Sequence, residues 1–271
     1  MKRKALFFDI DGTIWDRKNH IPDSTLKAVR LLRKNGHLVF LNSGRSRGYI
    51  KNPKLFDMGI DGIISGCGTM IEYGGEVLFH YELDNDLLAE TLKTLKEYGF
   101  NTILEGPEAL YLRHSEFGDD PYAQKLAREM GDLLLDIDSC WGSWSVCKLS
   151  CTTAGADLQA CMDRLEKYYD FIVHDVPVVE IIPKGYGKDD GIRRICSMLD
   201  IDMADTYAFG DSNNDISMFE AAGTAVAMGN ASAEAKEAAD YVTAGLEDDG
   251  IWKACLHLGL FSPEEADRDS E

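Results

Sequence analysis

The chain has no apolar run approaching the roughly 18 residues that a membrane-spanning helix needs, which sets aside a spanning protein. Positive charge is scarce: 28 Lys and Arg stand against 47 Asp and Glu, a net charge of −19 over 271 residues. A surface that acidic repels phosphate backbones and anionic headgroups, so neither nucleic-acid nor membrane partners are expected. Any anionic substrate must therefore meet a local reversal of sign. Internal repeats and low-complexity tracts are absent. The cysteines lack metal-site spacing, since Cys147 and Cys151 are the one close pair and neither a histidine nor a second pair follows them. Seven cysteines, an odd number scattered through apolar segments, read as reduced, buried thiols of a cytoplasmic protein. The start, Met1-Lys2-Arg3-Lys4 then Ala5-Leu6-Phe7-Phe8, imitates a secretory leader only until Asp9 and Asp11 end the apolar stretch.

What remains is a globular composition, 45% hydrophobic and 28% charged, long enough to bury roughly three quarters of its extended surface without staples. Lys4 to Asp9 reads as a buried strand, and Leu26, Val29, Leu31 and Leu32 as a helix capped by Asp23 or Ser24 and closed by Gly36. Leu38 to Leu41 and Ile60 to Ser65 follow as strands, then a hairpin turning at Gly74-Gly75. Strand–helix alternation of this kind predicts a parallel sheet covered by helices. Residues 83–182 differ: helices at Leu87–Tyr98, Pro121–Met130 and Ala156–Tyr168 mix with strands at 102–105, 110–114, 171–174 and 178–182, which suits helices on an antiparallel sheet. Alternation resumes at Lys188, with a helix at Lys188–Leu199, a strand at Thr206–Gly210, a helix at Asn214–Ala222 and a further element at Thr224–Ala227. The expected architecture is one α/β domain, 1–82 and 183–271, interrupted by an α+β domain at 83–182. The tail, 262–271, is polar and acidic and is expected to fray.

Three polar clusters sit where strands should end, the edge at which open parallel sheets bind ligands, and a fourth feature, Lys188, sits where a helix should begin. Asp9-Ile10-Asp11-Gly12-Thr13 closes the first strand; residues two apart on an extended segment share a side, so Asp9 and Asp11 are expected to converge on one ligand. Two like charges that close call for a cation or a shared proton. Gly210-Asp211-Ser212-Asn213-Asn214-Asp215 closes a later strand, and the two acidic ends together suit a hard divalent cation such as Mg2+. Asn214 also has a purely structural reading as a helix cap. Ser43-Gly44-Arg45 offers a hydroxyl and free amides to phosphoryl oxygens. Lys188 starts a helix, against the dipole, and so requires a compensating anion; Lys184 competes for that role but reads as solvent-facing.

In this order the four features resemble the haloacid-dehalogenase-superfamily phosphatases, specifically the Cof-type group with a class IIB cap. The resemblance implies a Rossmann-like core with the insert as an α+β cap, and a Mg2+-dependent hydrolysis of small phosphoesters, sugar phosphates or phosphorylated cofactors. It implies Asp9 as nucleophile through an aspartyl-phosphate, Asp11 as acid then base, and Mg2+ held by Asp9, Asp11 (through its carbonyl), Asp211 and Asp215, the last as ligand or support. It implies Ser43, Gly44, Arg45, Lys188 and Asn214 as phosphate- or substrate-binding groups. Arg47, Arg113, His114, Trp141, Trp144 and Lys148 stand as further candidate readers of the leaving group. Two other readings remain open: a phosphomutase-like transferase, and a non-enzymatic phosphoryl receiver or metabolite sensor. A monomer or weak homodimer is expected.

Overall fold

The structure, a computed structural model, describes residues 2–118, 120–174, 176–262 and 264–265. Its strands in chain order are β1 (Ala5–Phe8), β2 (Leu38–Asn42), β3 (Gly62–Ser65), β4 (Met70–Tyr73) and β5 (Glu76–His80), then β6 (Asn101–Glu105), β7 (Leu110–Leu112), β8 (Leu134–Asp136), β9 (Lys148–Thr152), β10 (Tyr169–Val173) and β11 (Val178–Pro183), and last β12 (Thr206–Gly210), β13 (Thr224–Ala227) and β14 (Tyr241–Val242). The chain divides into two units: Met1–Gly44, Asn52–Leu78 and Gly187–Glu271 make the first, Arg45–Lys51 and Phe79–Tyr186 the second.

The first unit is built on a sheet of order β14-β13-β12-β1-β2-β3-β4-β5. β14 to β3 run parallel, and β4 turns back antiparallel to β3. β1, at the middle, is buried on both faces, as a parallel strand between helical layers must be. Phe7 stacks on Phe40 and Phe8 on Phe209, with centroids 5.1 and 4.6 Å apart. From β1 the chain runs to β2 and β3 on one side and later to β12 and β13 on the other. That reversal opens a crevice at the carboxyl ends of β1 and β12, the usual ligand position in such sheets.

The helix Asp23–Lys34 buries Ala28, Val29, Leu31 and Leu32 as its spacing requires. Neither Asp23 nor Ser24 caps it, however. Pro22 takes the cap position without a side-chain bond, its fixed φ of −59° supplying the entry, and Asp23 lies in the first turn, where its charge suits the dipole. Asn214 is likewise not a cap: Ser212 and Asp215 form a reciprocal capping box around the short turn Asn213–Asp215, ahead of the helix Ile216–Ala221.

The second unit has one sheet, β10-β11-β9-β6-β7-β8, antiparallel except for the pairing of β7 with β8. One face carries a core that includes Leu104, Trp144, Leu149 and Ile181, closed by Leu88, Leu92 and Leu95 of the helix Asn85–Glu97. Trp144 belongs to this core, its indole N–H donating to the Ile137 carbonyl, while Trp141 stacks edge-on against it and stays exposed. β8 and β9 fall in stretches that the sequence pattern left unassigned. None of the seven cysteines forms a disulfide, and no helix among the described residues is long and apolar enough to cross a membrane. Of the acidic tail, Ser262, Glu264 and Glu265 are described; the rest lies outside the described residues.

Candidate active site

Asp9 directly follows β1 and is held there by its amide, which donates to the Phe209 carbonyl at 2.9 Å. Beyond Asp9 the chain does not stay extended. The amides of Ile14 and Trp15 both return to the Ile10 carbonyl, and the Gly12 amide donates to the Trp15 carbonyl. Gly12 makes the turn at φ +87°, and a Cβ there would collide with the Asp211 carboxylate, so both space and backbone demand glycine. Asp9 is buried, whereas Asp11 is exposed and accepts a bond from the Trp15 indole N–H at 3.0 Å. Trp15 is itself buried.

Lys188, the first residue of the helix Lys188–Leu199, reaches Asp9 Oδ1 at 2.6 Å, Asp215 Oδ1 at 2.5 Å and Asn214 Oδ1 at 3.4 Å. Burial alone would lower its pKa, but Asp215 and Asp9 more than reverse that and raise it, keeping the ammonium charged. The anions that its position against the dipole called for are thus Asp9 and Asp215. Lys184 instead pairs with Asp170 at an exposed site. Asn42, at the end of β2, donates to the Lys188 carbonyl at 3.0 Å and so ties this helix to the sheet.

Asp211 follows β12 and accepts the Thr13 hydroxyl at 3.0 Å. Burial pushes its carboxyl up to about 7, with Asp215 adding to the rise and the Thr13 bond opposing it. Asp9 is raised well above the carboxylate range, by burial first, with Asp215, Asp211 and Asp11 adding and Lys188 opposing. Asp215 Oδ2 accepts the amides of Asp211 and Ser212 at 2.9 and 3.0 Å.

One oxygen each from Asp9, Asp211 and Asp215 lies within 4.8 Å of the others. An all-oxygen set of mutually repelling carboxylates fits a hard divalent cation, which would relieve the repulsion that raises Asp9 and Asp211. The Asp11 side chain is not one of this set. A cavity of about 580 Å³ opens beside Asp11 and Asp211, lined also by Arg17, Asn230 and Leu246.

Ser43 is buried just past β2, its amide donating to the Ile64 carbonyl and its carbonyl accepting from Cys67. The β1–β2 register, Phe8 opposite Leu41, brings Ser43 and Gly44 to the same edge as Asp9. Arg45 and Arg47 cluster with the second unit; the Arg45 guanidinium lies 4.4 Å over the Tyr49 ring, and Arg47 donates to the Ile50 carbonyl. In the second unit Arg113 is held by Glu116 and Asp138, His114 is exposed, and Lys148 is buried.

Sequence reasoning gave no role to Thr13, Trp15, Asn42 or Asn230. Asn230 donates to the Gly12 carbonyl at 2.8 Å and accepts the Leu246 amide at 2.9 Å, clamping the turn. Its signal was available, since Gly229-Asn230-Ala231-Ser232 is another polar loop beyond a parallel strand.

Comparison with known proteins agrees with this geometry. The haloacid dehalogenase-like hydrolase family matches residues 6–255. The "Putative phosphatase YkrA" of Bacillus subtilis (strain 168) is 34% identical over 270 residues, covering 96% of this chain and 99% of its own. The phosphoglycolate phosphatase of Methanosarcina acetivorans is 29% identical, covering 95% and 97%. Among solved structures, the HAD subclass IIB sugar phosphatase BT4131 superposes with a TM-score of 0.81 at 28% identity, over 95% of this chain and 100% of that one.

Proposed function

The chain belongs to the haloacid dehalogenase-like hydrolases and acts on phosphomonoesters, and we propose that it cleaves small soluble ones through a covalent intermediate on Asp9. The observation that carries this reading is the buried Asp9 carboxylate, 2.6 Å from a charged lysine and flanked by Asp211 and Asp215. In such a setting a carboxylate is both a poised nucleophile and half of a cation site.

Asp9 attacks phosphorus: its oxygen–phosphorus bond forms and the ester oxygen–phosphorus bond breaks. Asp11 gives its proton to the departing alkoxide. Water then attacks the aspartyl-phosphate, Asp11 takes the water's proton, and Asp9 is released with inorganic phosphate. The Trp15 indole N–H fixes the Asp11 carboxylate on the open side of the turn for both transfers. Lys188, Ser43 and the Gly44 amide neutralise charge on the transferring oxygens, supplying the local positive field that the chain as a whole lacks. Asp215 and Asn214 keep Lys188 in place.

Asp9, the Asp11 carbonyl and Asp211 would hold Mg2+, with Asp215 bracing the set. When bound, the ion polarises the phosphoryl group and offsets the charge that builds on it. We assign the second unit the reading of the alcohol portion; the similarity to a sugar phosphatase supports a polyol or comparable small body. The seven cysteines, none in a disulfide, support a cytoplasmic setting. Phosphate release from a panel of small esters, with and without Mg2+ and with Asp9→Asn beside the parent, tests the reading. Metal-dependent release that disappears in the variant is expected; release that survives it would overturn the role of Asp9.

A further inference from the structure

The turn that carries Asp11 takes its shape from its own backbone and its place from its surroundings. The bonds among Ile10, Gly12, Ile14 and Trp15 set its curvature, and the buried side chains of Ile10, Ile14 and Trp15 anchor its inner side. The outer side is different. Gly12 has no side chain and lines the cavity beside Asp11, so packing cannot hold the chain there. Two side-chain hydrogen bonds take over. Thr13 donates its hydroxyl to Asp211 at 3.0 Å, and the Gly12 carbonyl accepts the side-chain amide of Asn230 at 2.8 Å.

Asn230 is well placed to act as a fixed point. It lies on the loop after β13, whose amides at Met228, Gly229 and Ser232 donate to the carbonyls of Gly210, Ala244 and Asp211 at 2.9, 2.9 and 2.8 Å. A Cβ at Gly229 would come within 2.5 Å of the Gly245 amide nitrogen, so this loop lies backbone against backbone on the one after β14. The Ser232 hydroxyl donates to Asn213 at 2.6 Å, and the Asn230 side-chain oxygen accepts the Leu246 amide at 2.9 Å. Loops following β1, β12, β13 and β14 are thereby joined through one short segment. Asn230 spends a donor and an acceptor on the protein itself, which suits a brace better than a reader of ligands.

The two outward bonds of the turn govern different groups. Thr13 is tied to Asp211, a member of the carboxylate set that suits a cation. Asn230 grips the residue directly after Asp11. We infer that Asn230 is a positioning residue for proton transfer by Asp11, holding the acid/base carboxylate in place through the Gly12 carbonyl. Its two bonds go to Gly12 and Leu246, not to Asp9 or Lys188, so nucleophile and phosphate cradle are untouched by it. A misplacement of about 1 Å in a reacting group costs on the order of a hundredfold in rate. This inference rests on the phosphatase reading above.

The test separates a step that needs the Asp11 proton from one that does not. An alkoxide leaves as its oxygen is protonated, whereas p-nitrophenolate departs without that help. First-turnover rates at saturating Mg2+ are compared for p-nitrophenyl phosphate and for the alkyl phosphate that the parent cleaves fastest. The proteins are the parent, Asn230→Ala and Asn230→Asp; the last keeps an acceptor for the Leu246 amide and loses the donor to Gly12. In both variants the alkyl ester rate should fall by about tenfold or more, the p-nitrophenyl ester rate by less than about threefold, and KM should change little. Release of p-nitrophenolate should then show a burst, because hydrolysis of the aspartyl-phosphate still waits on Asp11. An equal fall with both esters is a structural effect and overturns the assignment, as does no fall at all.

The Trp15 indole N–H, bonded to Asp11, gives a readout independent of turnover. In isotope-labelled protein its magnetic resonance signal, assigned with Trp15→Phe, should move in Asn230→Ala while that of Trp144 in the second unit stays. Should the parent hydrolyse no ester, the phosphatase reading fails on its own and this signal decides the positioning. A moved Trp15 signal upholds the hold of Asn230 on Asp11, and an unmoved one overturns it.

Discussion

Asp215 holds Lys188, its Oδ1 2.5 Å from the ammonium while Oδ2 is anchored by the amides of Asp211 and Ser212. One carboxylate thereby fixes the cation of the site and the loop that carries Asp211. Asp215→Asn keeps the shape and removes the charge. The expected result is a drop in kcat of about a hundredfold, together with a lowered melting temperature, because Lys188 stays buried with half its compensation. Steady-state kinetics and thermal unfolding check this.

Gly12→Ala places a methyl group against the Asp211 carboxylate at a backbone φ of +87°. Moving Asp211 should weaken the cation site more than the fold, where the backbone cost is about 1–3 kcal/mol. A Mg2+ titration of activity should shift to higher concentration by about tenfold or more, while circular dichroism shows a folded protein.

Trp15→Phe keeps an aromatic ring at the buried position, smaller by the pyrrole portion, and deletes the donor to Asp11. A hydrogen bond to a charged group contributes about 1.5–3 kcal/mol, so kcat should fall by about 10- to 100-fold. KM should change little, since Trp15 touches the acid/base group and not the phosphate cradle. An unchanged kcat would contradict the role given to Asp11.

The candidate site was legible because three short polar clusters follow apolar strands and Lys188 opens a helix against its dipole. β12, β13 and the helix at Lys188 follow the pattern residue for residue. What escaped has physical causes. β9 reads Lys148-Leu149-Ser150-Cys151-Thr152, and its Lys148 and Ser150 meet Glu180 and Glu105 instead of a core, so no apolar run announced it. Trp15 reads as an ordinary core aromatic until the turn at Gly12 aims its N–H at Asp11.

His37 offers a pH signature separate from the chemistry. The ring is buried, its Nδ1 accepts the Lys4 amide at 3.2 Å, and Nε2 lies 3.3 Å from the Leu260 carbonyl. Burial lowers its pKa, with Lys4 adding and the Leu260 contact opposing. The unfolded chain therefore takes up the proton first as pH falls below about 6.5, and stability is lost in that direction. Melting temperature should fall between pH 8 and pH 5.5 by more in the parent than in His37→Gln. Parallel curves would contradict the account.

The central claim is the covalent step at Asp9. The most direct measurement is peptide mapping by mass spectrometry after acid quench of the protein mixed with a turnover substrate and Mg2+. One phosphoryl group on the peptide bearing Asp9, absent from Asp9→Asn, is the predicted result. Turnover without a label, or a label on another residue, would contradict it.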